Sequence, residues 1–408
     1  MRQPTSPQHA SPALLWLSLL YVLLIAYASL FPLDWHPPLV WSNPLTHPWP
    51  RSDSRSDVLV NVLAYMPLGL FLALSWRRFG RLFSATLALL AGFGLSCGME
   101  FLQEALPGRV SSIADIVHNT LGTLLGVALA QAVSQDTLSG TWLRQWRARL
   151  VVPGTLPSMA LIALALWVAA ESFPFVPSPD LTTIKHGVRP LVETLLHPGT
   201  FAWWKACGDV FELFGIGMLA RSILRESSIP WVGMLIVGVT LLKVVVVYQV
   251  LSLEFFLAAL VSLLLMTMLG WQSQRTRVGI ALASIVASLV VDELRRGGTD
   301  HLYGFNWIPF STQIGRLAGF NGLLVTLWIT VSVAVAARLL AQQAAVRERP
   351  VRLLGGCALF GLWFALEWHQ QSLPGRVPDI TNPLVGLVVW WLVWLVPARR
   401  AAQARVNR

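Results

Sequence analysis

Between positions 100 and 119 the chain carries two carboxylates, two amides and a guanidinium: Glu100, Gln103, Arg109, Asp115 and Asn119. Each has a distinct chemical use. The planar fork of Arg109 matches a phosphate or carboxylate. Glu100 and Asp115 are acceptors, or an acid/base pair if a reaction occurs. Spacing brings them together. Glu100 and Gln103 are i and i+3 and share a helix face. Pro107-Gly108 breaks that helix and puts Arg109 on the turn. Asp115 and Asn119 share a face of the next helix, which Gly122 and Gly126 continue at helical period. The two helices are therefore expected to be antiparallel neighbours whose polar faces meet.

Two readings of this cluster stand side by side. In one, the groups after Ser111-Ser112 cap and charge a helix N-terminus, with Arg109 neutralising an acid. In the other, the five groups bind a ligand or headgroup, because acids and amides in an apolar span are costly and mark function. Gly122 and Gly126 read as a small-xxx-small packing face.

A second copy of the turn lies 267 residues on. Glu367, Gln370, Leu373 and Pro374-Gly375-Arg376 repeat Glu100, Gln103, Leu106 and Pro107-Gly108-Arg109 in register, and Val377 repeats Val110. Glu367, Gln370 and Arg376 thus join the candidate binding residues. An aromatic- or apolar-Pro-apolar element also recurs three times, at Phe31-Pro32-Leu33, Phe173-Pro174-Phe175 and Ile308-Pro309-Phe310. It is expected to end the first span of each third. The middle third lacks the Pro-Gly-Arg turn, and Tyr248-Gln249 passes almost directly into Ser252-Leu253-Glu254.

The elements that must hold these residues are apolar. Of 408 residues 55% are hydrophobic and only 12% charged, with 19 Trp and 18 Phe. Soluble domains carry about a quarter charged residues. The composition excludes a soluble enzyme and disorder, and predicts an all-α, polytopic transmembrane helical bundle. Spans of about 20 residues number twelve, at 13–33, 57–75, 82–103, 113–133, 157–173, 209–225, 230–251, 253–270, 278–292, 317–337, 353–370 and 382–397. The first is read as a retained anchor, although Ala26-Tyr27-Ala28 mimics a cleavage site. Repeats divide the chain into three four-helix units, 1–136, 137–275 and 276–408.

Charge orients the bundle. With twelve alternating links, 19 Lys and Arg fall on the side of both termini, 10 fall opposite, and Lys243 lies within a span. Of 20 acids, only Asp136, Glu226 and Glu348 share the basic side. The positive-inside rule predicts cytoplasmic termini in the cytoplasmic membrane and a cluster near the outer boundary. The +10 net charge is thereby explained, and nucleic acid loses its support. Many Trp fall at span ends, as an interfacial belt does. Lys243 either snorkels to a surface or pairs with Glu212 or Glu254. Cys97, Cys207 and Cys357 form no CxxC pair. His118 and His369 lack a second ligand at metal spacing, so no metal and no cofactor is expected.

Residues 57–126 resemble the VanZ-like membrane family. Asn61 and Pro67-Leu68-Gly69 resemble its second-span pattern. Glu100, Gln103, Pro107, Arg109, Asp115, Asn119, Gly122 and Gly126 resemble its main signature. The resemblance covers about 10–135, with a weaker copy in the last third, where Asn382 stands for Asp115 and Gly386 for Asn119. It implies an envelope membrane protein. The namesake is associated with resistance to the glycopeptide teicoplanin, and no reaction or catalytic residue carries over. The expected partners are membrane lipids, with a cell-wall or lipid-linked precursor or a glycopeptide as candidate ligands. A twelve-span secondary transporter and an intramembrane acid/base enzyme are the alternatives, and a non-enzymatic role leads.

Overall fold

A computed structural model describes residues 12–31, 33–47, 49, 55–107, 109–134, 137–314 and 316–397. Arg2, Pro32, Gly108, Asp136, Arg399, Arg400, Arg405 and Arg408 lie outside the described residues. The described chain is helical throughout, with isolated bridges and no strands. Two compact units are formed, Met1–Trp146 with Ile314–Leu317, and Arg147–Gln313 with Ala318–Arg408.

The first unit contains α1 (Pro12–Leu30), α2 (Arg55–Ser75), α3 (Arg81–Gln103) and α4 (Ile113–Ala132). The dominant contact is α2 against α4. It is close because glycines face the opposing backbone. A Cβ added to Gly126 would lie 1.9 Å from the Met66 carbonyl oxygen, and one at Gly122 2.3 Å from that of Val62. Backbone-to-backbone approach of this kind drives helix association where no hydrophobic effect operates. α1 is tied on by Tyr21, whose hydroxyl donates to the Ala64 carbonyl (2.9 Å), and by Ser18 against Ser75 (3.1 Å).

After α5 (Leu138–Leu150), the second unit contains α6 (Thr155–Glu171), α7 (Leu181–Leu196), α8 (Trp203–Ile223), α9 (Pro230–Val245), α10 (Leu253–Leu269), α11 (Gln274–Glu293), α12 (Leu317–Gln343), α13 (Glu348–Gln370) and α14 (Thr381–Leu395). α8 is its centre. Leu213, Ile216, Met218, Leu219 and Ile223 are all buried, and Gly215 lets Ile285 of α11 approach its backbone. Trp167, Trp328, Trp363 and Trp390 fill the rest of the core.

Each of the twelve apolar segments coincides with a helix. Among the described residues six helices are long and apolar enough to cross a membrane, namely α2, α3, α4, Glu226–Val245, α12 and α13. Four more apolar helices are shorter. The helices that begin at Trp203 and Gln274 are longer than the apolar runs within them, because charged residues extend the ends. Two helices fall in links: α5, which is basic, and α7, which is amphipathic and contains Pro190.

Lys243 pairs with neither expected partner. Its Nζ lies 2.7 Å from Glu171 Oε2 at the end of α6 and 4.4 Å from the Phe255 ring centre. Glu212 instead accepts from Trp167 Nε1 (2.7 Å), and Glu254 accepts from the Ala202 amide (2.9 Å). The third Pro element also departs from expectation. α11 ends at Glu293, well before Ile308-Pro309-Phe310, whereas α1 and α6 run almost into theirs. Even so, the residue after each proline has positive φ: 67° at Leu33, 64° at Phe175 and 63° at Phe310. Such values are uncommon outside glycine.

Candidate functional site

The α3–α4 turn is where the predicted residues meet. Glu100, 3% exposed, sits one turn before the end of α3. Its Oε2 accepts the Ser112 amide (2.8 Å), the residue that caps α4. A carboxylate is thus placed against the positive end of a helix dipole. Ser112 Oγ accepts from Ala114 N (3.2 Å). Gln103 turns the other way, and its Nε2 donates to the Ser29 carbonyl in the last turn of α1 (2.9 Å). Arg109 Nη2 reaches the Phe31 carbonyl (3.2 Å) and that of Ala28 (3.5 Å). One short turn therefore satisfies the start of α4 and the end of α1. Orphaned helix-end groups need such partners.

The second shared face points into the helix bundle. Asp115 Oδ1 accepts from Asn61 Nδ2 of α2 (2.7 Å), and Asn119 Nδ2 donates to Ser96 Oγ of α3 (2.9 Å). Tyr65, one turn after Asn61, lies within electrostatic reach of Glu100 and Asp115. All five predicted residues of the first turn thus lie along one end of the α3–α4 pair. They divide into a rim (Gln103, Arg109) and an inner group (Glu100, Asp115, Asn119). The Asn61–Asp115 hydrogen bond joins that inner group to α2.

The other predicted residues, Glu367, Gln370 and Arg376, use the same atoms in the same way. Glu367 Oε2 accepts the Asp379 amide (3.0 Å), 267 residues after Ser112. Gln370 Nε2 donates to the Glu293 carbonyl (3.3 Å) at the end of α11, and Arg376 Nη2 to that of Asp292 (3.1 Å). One difference is decisive. Arg376 also makes an ion pair with Glu293 Oε2 at 2.5 Å, and Gln370 bonds the same carboxylate. Ser29 occupies the matching place in α1. Arg109 is exposed and makes no ion pair among the described residues.

Several participants carried no sequence signal of their own. The α1 acceptors are backbone carbonyls, which any residue supplies. Ser96 and Tyr65 were legible in principle, since each lies one helical turn from a marked residue, Ser96 before Glu100 and Tyr65 after Asn61. Arg338, counted among the basic residues of one face, is buried and donates to the Val393 and Val396 carbonyls (2.8 and 2.7 Å), closing the end of α14. A loop residue, Glu104, accepts from the Ser42 amide (2.9 Å), and His47 Nδ1 lies 3.0 Å from the Ser111 carbonyl oxygen. The segment before α2 is thereby held against the turn.

Helices of this length and composition, with polar groups confined to their ends and to one buried face, define a polytopic helical membrane protein. Residues 18–134 match the VanZ/LLP1 family model, so the first part of the chain carries a VanZ-type domain. That match spans α1 to α4 and contains the whole α3–α4 turn. No curated protein and no solved structure matches the chain.

Proposed function

We propose that this is a twelve-span VanZ-type protein of the bacterial-type cell envelope, with cytoplasmic termini, that holds an anionic headgroup at the outward α3–α4 turn. The headgroup belongs to a membrane lipid or to a lipid-linked cell-wall precursor; a glycopeptide enters only through the family's namesake. The carrying observation is Arg109. Its Nη2 is anchored on α1, the residue is exposed, and it makes no ion pair among the described residues. Arg376, in the same setting, is neutralised by Glu293. The guanidinium fork is suited to phosphate, and a charge-assisted pair is about twice as strong as a neutral one.

Division into three four-helix groups, α1–α4, α6 with α8–α10, and α11–α14, is part of the same proposal. Support comes from the repeated Glu, Gln and Arg contacts at an offset of 267 and from the three positive-φ residues after proline. A transporter is the second reading. One observation favours it: the second unit buries Lys243 with Glu171 and places Glu212 and the Lys205–Asp209 pair nearby.

The test is lipid retention by the purified full-length protein, measured by native mass spectrometry. Arg109→Lys is expected to retain roughly five- to tenfold less phosphatidylglycerol per folded molecule, the loss of about one charge-assisted hydrogen bond. Arg376→Lys is expected to retain as much as wild type. Equal retention by wild type and Arg109→Lys refutes the headgroup site.

A further inference from the structure

The inner group contains two polar atoms that the chain leaves without partners. Asn119 is 5% exposed and Tyr65 3% exposed. Asn119 spends its amide nitrogen on Ser96, and its Oδ1 accepts nothing. The Tyr65 hydroxyl completes no hydrogen bond of normal geometry. Orphaned buried polar atoms cost free energy and call for an explanation. Both lie at Ser96, between α2, α3 and α4: Asn119 donates to its hydroxyl, the Tyr65 hydroxyl faces it, and Glu100 and Asp115 are within electrostatic reach of Tyr65.

The donor and acceptor balance defines the missing group. With the amide nitrogens of Asn61 and Asn119 spent on Asp115 and Ser96, the atoms left are oxygens of carboxylate, amide, hydroxyl and phenol. Two carboxylates repel an anion, and Arg109 spends its Nη2 on α1. An all-oxygen shell suits a hard cation or an ammonium, which has three donors and no acceptor.

The α12–α14 region supplies the contrast. Asn382 stands where the first unit has Asp115. Its Nδ2 donates to Glu367 Oε1 (2.6 Å), and its Oδ1 accepts from Thr326 (2.8 Å). Gly386 replaces Asn119. A Cβ there would lie 3.0 Å from the Trp363 ring, and Trp363 itself replaces Ser96. The one unpartnered nitrogen in that place, Trp363 Nε1, is a donor and cannot receive a cation. At the matched positions the first unit has Asp115 and Asn119 where the other has Asn382 and Gly386.

We infer that the buried polar cluster between α2, α3 and α4, formed by Asn61, Tyr65, Ser96, Glu100, Asp115 and Asn119, binds a small monovalent cation. Two sources share this chemistry, a free alkali ion and the primary ammonium of a lipid headgroup. The cluster does not include Arg109, so it stands whether or not Arg109 reads a phosphate.

Two measurements on the full-length protein separate the sources. In the first, the unfolding midpoint in detergent is followed as NaCl or KCl replaces tetramethylammonium chloride at constant ionic strength. In the second, native mass spectrometry compares retention of phosphatidylethanolamine with that of phosphatidylcholine, whose quaternary nitrogen has no proton to donate. An alkali ion gives a saturable rise in midpoint. A headgroup ammonium gives selective retention of phosphatidylethanolamine and no saturable alkali response. Tyr65→Phe and Asn119→Leu should each weaken the observed response roughly tenfold, as loss of one hydrogen bond to a charged group does. Tyr65→Phe deletes only an unpartnered hydroxyl and should fold. Thr330→Val, at the matching unpartnered hydroxyl of α12, should leave the response intact. The inference is overturned if neither response appears in wild type, or if either persists at full strength in both Tyr65→Phe and Asn119→Leu.

Discussion

Gly126→Ala tests whether α2 and α4 meet backbone to backbone. The new methyl carbon would sit 1.9 Å from the Met66 carbonyl oxygen and 2.7 Å from the Leu70 amide nitrogen. Neither neighbour is a side chain that can rotate away. Restoring an ordinary contact of about 3.5 Å requires α4 to retreat by roughly 1.5 Å along that direction. Overpacking of this kind costs about 1–3 kcal/mol, which outweighs the gain of up to about 1 kcal/mol from replacing a helical glycine with alanine. Gly98 of α3 is the control, because nothing lies within 4 Å of its missing Cβ. Gly98→Ala should therefore leave stability unchanged or raise it slightly. Tryptophan-monitored thermal unfolding in detergent reads both, with Gly126→Ala expected to melt several degrees lower than wild type. Displacing α4 should also stretch the 2.7 Å Asn61–Asp115 hydrogen bond, which crosses the same interface. If Gly126→Ala and Gly98→Ala melt alike, the close approach of α2 and α4 is wrong, and with it the placement of the inner polar group.

Two further outcomes are expected. Lys243→Met should destabilise by about 3–5 kcal/mol, since it strands the buried Glu171 carboxylate, while Lys243→Met with Glu171→Leu should recover most of the loss; a double variant no better than the single in chemical unfolding would exclude the pair. Asp180 caps α7, accepting from the Thr182 and Thr183 amides (both 2.9 Å), and its hydrogen bonds with Ser178 and Thr183 hold its pKa well below the usual carboxylate range. A carboxylate depressed in the folded state contributes stability above its unfolded value of about 3.9 and loses it as pH falls below that. The protection factors of the α7 amides should therefore fall from about pH 4 downward, and in Asp180→Ala they should already be low at pH 6 and respond little to acid.

Apolar runs made the helices legible from sequence, and helical spacing placed Glu100, Gln103, Asp115 and Asn119 at one end of the α3–α4 pair, although Gln103 turns to α1 instead. α5 and α7 were not legible as helices. Their polar residues fall in the links between apolar runs, although Gly187 of α7 admits the Val244 backbone of α9. The partners of Gln103 and Arg109 were hidden for a different reason. A backbone carbonyl has no residue type, so the pattern shows that a donor exists and not which helix end receives it. Lys243 failed the same way. Spacing fixes its face on α9, but Glu171 lies on another helix, and nothing in the chain order prefers it over Glu212 or Glu254. Arg109 and Arg376 are identical in local sequence, and only the fold separates an exposed guanidinium from one closed by Glu293.

The carbonyls at the end of α1 are satisfied by side chains made much later. Gln103 follows Ser29 by 74 residues, and Arg109 follows Phe31 by 78. At about 5–20 residues per second, the ribosome delivers those donors roughly 4–15 s after the helix end they close. During that interval water or the translocation machinery must solvate the exposed end. Synthesis order therefore gives α1 a waiting period in which its C-terminal end is chemically incomplete, and arrival of the α3–α4 hairpin ends it. Arg376 repeats the delay on α11, reaching the carbonyl of Asp292 after 84 residues.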